Sequence, residues 1–319
     1  MAAVHALPPM PFVVGVARSG TTLLRLMLDA HPELAIPHET HFIPVVLREP
    51  PREPDASRER FLELLTGFPT WEDLKTPAEL LREELLWVEP FDVRDGLRAF
   101  YRLYARSRGK ARWGDKTPSY LQHIPAIHAA LPEARFIHIL RDGRDVAVSL
   151  RPLWFSPGES METQADYWAR QIVEARAQAL GRPFYLEVRY EDLIADPVRE
   201  LRRICGFLDL PYHPAMAEYH RTARLRLEEA ETRRAHDGGV IITKEERLHI
   251  QRFTSQPPEP SRVGRWKTEL TPEMVAAYEE VAGELLDELG YRRGARRGDR
   301  RGARRRFGGL FNWLPWRRG

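Results

Sequence analysis

The feature that most constrains this chain is an eight-residue loop, Gly15-Val16-Ala17-Arg18-Ser19-Gly20-Thr21-Thr22, set between two apolar segments of different period. Pro11 to Val16 is a short valine-rich run that predicts a buried strand. After the loop, Leu23, Leu24, Met27 and Leu28 recur at helical spacing. A glycine loop between strand and helix lets backbone amides at the helix N-terminus ring a phosphate or sulfate. Gly15 and Gly20 allow the tight turn, and the hydroxyls of Ser19, Thr21 and Thr22 add donors. The spacing nearly meets the G-x-x-x-x-G-K-[ST] pattern of triphosphate loops, but Thr21 stands where the lysine would. That lysine normally reaches the β and γ phosphates, so its absence argues against ATP or GTP. Arg18 supplies a cation inside the loop instead. The competing reading is a plain turn in which Thr21 or Thr22 caps the helix.

Beyond the loop, the first helix should stop near His31, because Pro32 disfavours helical geometry before it, and Leu34 to Ile36 predicts a second short strand. Residues 50–110 are Pro-rich at first and then carry amphipathic patterns around 61–65, 78–86 and 97–104, which predicts a helical insertion or lid. Residues 113–118, Trp-Gly-Asp-Lys-Thr-Pro, read as a loop, followed by a helical stretch to Ala130 and a strand from Arg135 to Leu140. A helix through Val146 and Leu150, another from Thr163 to Leu180, a strand from Pro183 to Val188 and a helix carrying Leu201, Ile204 and Phe207 complete the series. Short buried strands alternating with helices predict an α/β fold with a central parallel sheet flanked by helices.

The length of 319 residues suits one sizeable core, and 43% hydrophobic with 30% charged residues excludes wholesale disorder and a membrane bundle. Cys205 is the only cysteine, which excludes an intramolecular disulfide or a cysteine metal cluster and predicts a core position. Residues 1–17 carry no charge but lack a basic start, and Pro8, Pro9 and Pro11 interrupt them. No signal peptide, membrane span or metal is expected, and a cytoplasmic location is. The net charge of +3 is uneven: from Arg292 onward there are 11 arginines against Asp299 alone. Residues 1–291 therefore read as the folded domain and 292–319 as a basic, disordered tail. The tail is expected to be solvating or to touch an anionic membrane, and nucleic acid is not expected as a partner.

Several stretches together resemble the PAPS-dependent sulfotransferases, closest to the tyrosylprotein sulfotransferase branch and its bacterial relatives. They are Arg-Ser-Gly-Thr-Thr at 18–22, Asp-Ala-His-Pro at 29–32, Glu39-Thr40, Asp115-Lys116, Leu-Arg-Asp-Gly-Arg at 140–144 and Arg-Tyr-Glu-Asp-Leu at 189–193, with a weaker echo at 264–267. The resemblance implies a P-loop kinase-like fold and transfer of a sulfuryl group from 3'-phosphoadenosine 5'-phosphosulfate (PAPS) to a hydroxyl of a small molecule, sugar or peptide. It implies that Arg18 and the loop hold the 5'-phosphosulfate, that Arg141 and Ser149 hold the 3'-phosphate, and that Lys116 acts on the bridging oxygen of the leaving nucleotide. Tyr190 is implied as a nucleotide contact or a packing aromatic, and Arg262, Arg265 and Trp266 as a loop closing over the nucleotide. Glu39 is implied as the base that takes the acceptor's proton, with His38 and His41 flanking it as rivals. If the backbone there is extended, Glu39 shares a side with His41. The alternatives are a P-loop kinase-like phosphotransferase, or a non-catalytic nucleotide-binding protein anchored by its basic tail.

Overall fold

The computed structural model describes residues 7–50, 53–235 and 238–294. The chain opens with β1 (Met10–Val14), the glycine loop and α1 (Thr21–Asp29), then β2 (Leu34–Ala35) and α2 (Ile43–Val46). The helical segment follows as α3 (Pro54–Thr66), α4 (Ala78–Leu85) and α5 (Val93–Ser107). Next come β3 (Arg112–Trp113), β4 (Asp115–Lys116), α6 (Ile124–Ala130), β5 (Ala134–Leu140), α7 (Gly143–Leu150) and α8 (Met161–Ala179). The remainder runs β6 (Tyr185–Arg189), α9 (Tyr190–Ala195), α10 (Pro197–Phe207), α11 (His220–Leu227), β7 (Arg233–Arg234), β8 (Val240–Ile242), α12 (Lys244–Gln251), α13 (Trp266–Glu269) and α14 (Pro272–Glu288).

Four strands form the central sheet in the order β4-β1-β5-β6, all parallel, with Phe12 opposite both Asp115 and Phe136, and Ile137 opposite Leu186. Alternation along β1 explains why it needs cover on both faces: Phe12 and Val14 join the core beneath α3 to α6, whereas Val13 joins the core beneath α1 and α9 to α11. All three side chains are fully buried, which stabilises the fold by roughly 1.5–3 kcal/mol for each large apolar group. A third core packs α7, α8 and α14 around Trp168 and Tyr278. Cys205 is buried on α10, as expected. His138 is fully buried on β5, its Nδ1 2.5 Å from the Tyr185 hydroxyl, and burial pushes its pKa down to about 4.

Two expectations are corrected. Asp115-Lys116 is not loop but an edge strand, because it pairs with Phe12-Val13; two charged residues carry no strand periodicity, and only the neighbour makes them a strand. The strand before Tyr190 starts at Tyr185 and not at Pro183. At the other end, Arg292 and Gly294 are tied to the domain through the Arg144 guanidinium and Glu279. The rest of the basic tail, from 295, lies outside the described residues. Among the described residues no helix is long and apolar enough to cross a membrane.

Candidate active site

In a parallel sheet every strand ends on the same side, so the loops leaving the strand ends converge. Here those loops carry residues 15–20 after β1, Thr117 after β4, Arg141-Asp142 after β5 and Tyr190 after β6. They border a cavity of about 470 Å³ lined by Arg18, Thr21, Thr22, Glu39, Lys116 and Arg141, among others.

The glycine loop has the form its sequence demands. Gly20 is the N-cap of α1 with φ 103°, and a Cβ there would sit 2.5 Å from the Tyr190 ring. No side chain caps α1, so the plain-turn reading with Thr21 or Thr22 as cap does not hold. The first amides of α1 are therefore free of an internal side-chain acceptor. Ser19 Oγ is buried without a hydrogen-bond partner, and Thr21 and Thr22 line the cavity. A buried hydroxyl left unpaired beside a helix N-terminus fits an anionic ligand that would complete it.

Arg18 hydrogen-bonds outside its own loop. Its Nε donates to Ser149 Oγ at 3.1 Å and its Nη2 to the Ile250 carbonyl oxygen at 3.3 Å. Burial first, then Arg141 and Arg262, lower its pKa to about 10. The guanidinium thus stands with three others, Arg141, Arg262 and Arg252, against the carboxylate of Glu39, a cluster that a dianion would stabilise. Arg141 is held beside it: Nη1 donates to the Arg18 carbonyl at 3.1 Å, Nη2 to the Arg262 carbonyl at 2.6 Å, and its Nε is buried without a partner. The Tyr190 ring packs against the same guanidinium, 4.3 Å from centroid to Cζ. Tyr190 therefore both packs under Gly20 and faces the cavity, so the two readings of this residue coexist. Asp142 caps α7 through the Arg144 amide. Asp145 instead accepts from the amides of Gly264 at 2.7 Å and Trp266 at 2.9 Å, and so ties the C-terminal loop to the site.

That loop requires a correction. Arg265 does not reach the cavity: it forks onto Glu269 at 2.7 and 2.8 Å, one turn further along its own short helix. Arg262 lines the cavity in its place. No sequence pattern separates two arginines three residues apart, because which one faces the site depends on the backbone entering α13.

The second cluster centres on Glu39. Its Oε1 accepts from Lys116 Nζ at 2.6 Å, and its Oε2 lies 3.1 Å from His41 Nε2. Burial alone would raise the carboxyl pKa, but Lys116 and then His41 outweigh it and hold it well below the ordinary carboxylate range. Burial lowers the Lys116 ammonium and Glu39 opposes that. The ion pair favours the charged form of both partners, a carboxylate facing an ammonium. His41 reaches Glu39 with a left-handed backbone, φ 59°, rather than by the alternation of an extended segment. His38 is buried, with Nε2 2.7 Å from the Arg226 carbonyl oxygen, and burial followed by Arg25 keeps it well below the usual histidine range.

A buried polar knot fixes this pair, and no periodicity in the sequence announces it. The Thr40 hydroxyl donates to Asp115 Oδ2 at 2.8 Å and lies 2.8 Å from the Tyr120 hydroxyl. The Thr40 amide donates to Thr117 Oγ1 at 3.0 Å, and the Tyr101 hydroxyl donates to Asp115 Oδ2 at 2.8 Å. Thr40 follows Glu39 while Asp115 and Thr117 flank Lys116, so the knot locks the two charged side chains against each other. Adjacency in sequence to Glu39 and Lys116 is the one signal that points to these residues.

Residues 9–214 match the sulfotransferase family. The chain is 26% identical over 291 residues to the protein-tyrosine sulfotransferase of Drosophila melanogaster, covering 89% of this chain and 52% of that protein, so it spans about half of that relative's length. It is 28% identical over 316 residues to nodulation protein NoeE of Sinorhizobium fredii, covering 91% and 68% of the two chains. The sulfotransferase domain from the curacin biosynthetic pathway shares the fold, with a TM-score of 0.54 at 19% identity over 90% of this chain and 99% of that one.

Proposed function

The chain belongs to the sulfotransferase family, and we propose that it moves the sulfuryl group of PAPS to a hydroxyl of its acceptor. The observation that carries this reading is the Glu39–Lys116 ion pair at 2.6 Å, in the same cavity as the glycine loop. PAPS supplies an activated sulfuryl group on a nucleotide leaving group. Ser19, Thr21, Thr22 and the first amides of α1 suit its 5' end, and Arg141, Ser149, Arg18 and Arg262 suit its 3'-phosphate. A cluster of three guanidiniums, one of them hydrogen-bonded to Ser149, is more than a monoanion requires.

In the transfer, Glu39 accepts the acceptor hydroxyl's proton as the oxygen–sulfur bond forms and the bond from sulfur to the bridging oxygen breaks. Its carboxylate keeps free lone pairs while Lys116 and His41 are bound, so it can take that proton without releasing them. Lys116 has three donors, so it can hold Glu39 and still stabilise the electron pair arriving on the leaving phosphate. The in-line displacement is then a matter of positioning and charge stabilisation.

Thermal shift tests the reading. The desulfated nucleotide should stabilise the protein and Mg-ATP should not, and sulfate from labelled PAPS should reach one of a panel of phenols, alcohols, sugars and peptides. Stabilisation by Mg-ATP alone would move the assignment to a kinase-like phosphotransferase.

A further inference from the structure

The cavity continues past Glu39 into a second, strongly cationic region built by the β7–β8 hairpin and α12. Arg247 forks onto Asp73 at 2.7 and 2.6 Å and so satisfies that carboxylate, which also accepts from the Glu231 amide at 2.8 Å. Arg233 stands beside this closed pair with nothing comparable. Its nearest carboxylate contact among the described residues is Asp73 at 3.7 Å, too long for a hydrogen bond, and its Nε is buried without a partner. Next to it Glu231 is shared by Lys75 and by Lys244, the latter at 3.5 Å. The region thus sets Lys75, Arg233, Lys244 and Arg247 against Asp73 and Glu231.

A guanidinium on a cavity wall that is 20% exposed and meets its one carboxylate only at 3.7 Å keeps donors for a second anion. Arg233 lines the cavity that holds Glu39 and Lys116, and its charge is near enough to help keep Glu39 ionised. The glycine loop and the Arg18–Arg141–Arg262 cluster already account for both ends of the nucleotide, which leaves Arg233 to the acceptor. Trp154, Phe155 and Tyr167 line the same cavity and offer flat apolar surface to the body of that molecule. We infer that the acceptor carries a carboxylate as well as its hydroxyl, and that Arg233 is the residue that binds the carboxylate. This rests on the sulfotransferase reading above, because it takes Glu39 as marking where the hydroxyl sits.

The experiment uses the full chain saturated with the desulfated nucleotide, and two probes that differ only in charge: 4-hydroxyphenylacetate and its methyl ester. Affinity for each is measured by calorimetry for the parent, Arg233→Gln and Arg233→Lys. The parent should bind the acid about tenfold or more tightly than the ester, as a charged hydrogen bond implies. Arg233→Gln should lose the preference and Arg233→Lys should keep part of it. Equal affinity for acid and ester, no binding of either, or a preference that survives in Arg233→Gln overturns the inference. Nucleotide binding in the same samples separates the two claims. If it is normal while the acid preference is absent, only the acceptor inference fails; if it is absent in the parent, the sulfotransferase reading fails and this inference with it.

Discussion

The half of the cavity proposed for the nucleotide and the half proposed for the acceptor are built on different principles. The first hangs on the ends of β1, β5 and β6, three adjacent strands whose positions are fixed by two-sided burial. Its residues come in tight local motifs, 15–22 and 141–149, because a phosphate is one compact shape that a strand-to-helix turn can encircle. The acceptor half is assembled from distant segments: Ser119 and Gln122 after β4, Trp154 and Phe155 after α7, Arg233 on β7, and Leu248 on α12. Apart from Ser119 and Gln122, which follow the edge strand β4, none of these is anchored by the central sheet, and Trp154 remains 63% exposed. Chemistry shared by many enzymes therefore rests on rigid strand ends, while selectivity rests on elements that can change without disturbing the sheet. Glu39 and Lys116 sit at the seam.

The strongest test of that division is Glu39→Gln. Turnover should fall about 100- to 10,000-fold, with affinity for the desulfated nucleotide unchanged within about twofold. Loss of nucleotide binding in parallel, read by calorimetry, would mean that the two halves are not separable.

Arg141→Ala is the converse change, confined to the nucleotide half. Affinity for adenosine 3',5'-bisphosphate should drop about tenfold or more, while adenosine 5'-phosphate, which lacks the 3' group, should bind nearly as before. If both ligands weaken in equal proportion, the arginine cluster is not a 3'-phosphate site.

At the seam itself, His41→Asn removes one partner of Glu39 and leaves Lys116 in place. A fall in turnover of only a few-fold is expected, the scale of one modest hydrogen bond. Collapse of turnover in this variant together with near-normal Glu39→Gln would transfer the base to the histidine.

The smallest effect on activity belongs to His138, buried in the sheet beneath the nucleotide half. Its folded pKa of about 4 lies below the ordinary 6.5, so the unfolded chain binds the extra proton first. This contribution to stability is complete above pH 6.5 and is lost as pH falls toward 4, on the order of 3 kcal/mol in all. His138→Gln should leave turnover unchanged and flatten the loss of urea stability between pH 7 and pH 4.5. An unchanged acid sensitivity would show that other groups govern it.

The loop at 15–22, the α/β architecture and the strand bearing Phe136 were all legible in the sequence, because each depends on local spacing: a period of two or 3.6, or a glycine where the backbone turns. Thr40, Asp115 and Tyr120 were not, since hydrogen bonds between residues some 75 to 80 positions apart leave no periodic trace. Arg262 and Arg265 were not told apart for a similar reason: the sequence shows a guanidinium but not the direction in which it leaves the chain.

What the sequence determined alone was the set of short-range commitments: where the periodic strands and helices form, where an anion can sit at a helix start, and which charged residues are available. What only the tertiary structure decided was pairing. Lys116 became the partner of Glu39, Arg18 turned to Ser149, Arg247 took Asp73, and Arg233 was left without a hydrogen-bonded anion. The physical reason is one of range. Backbone preference acts over a few residues, whereas a side-chain ion pair is set by distances of a few ångströms that exist only after the sheet and its covering helices have packed.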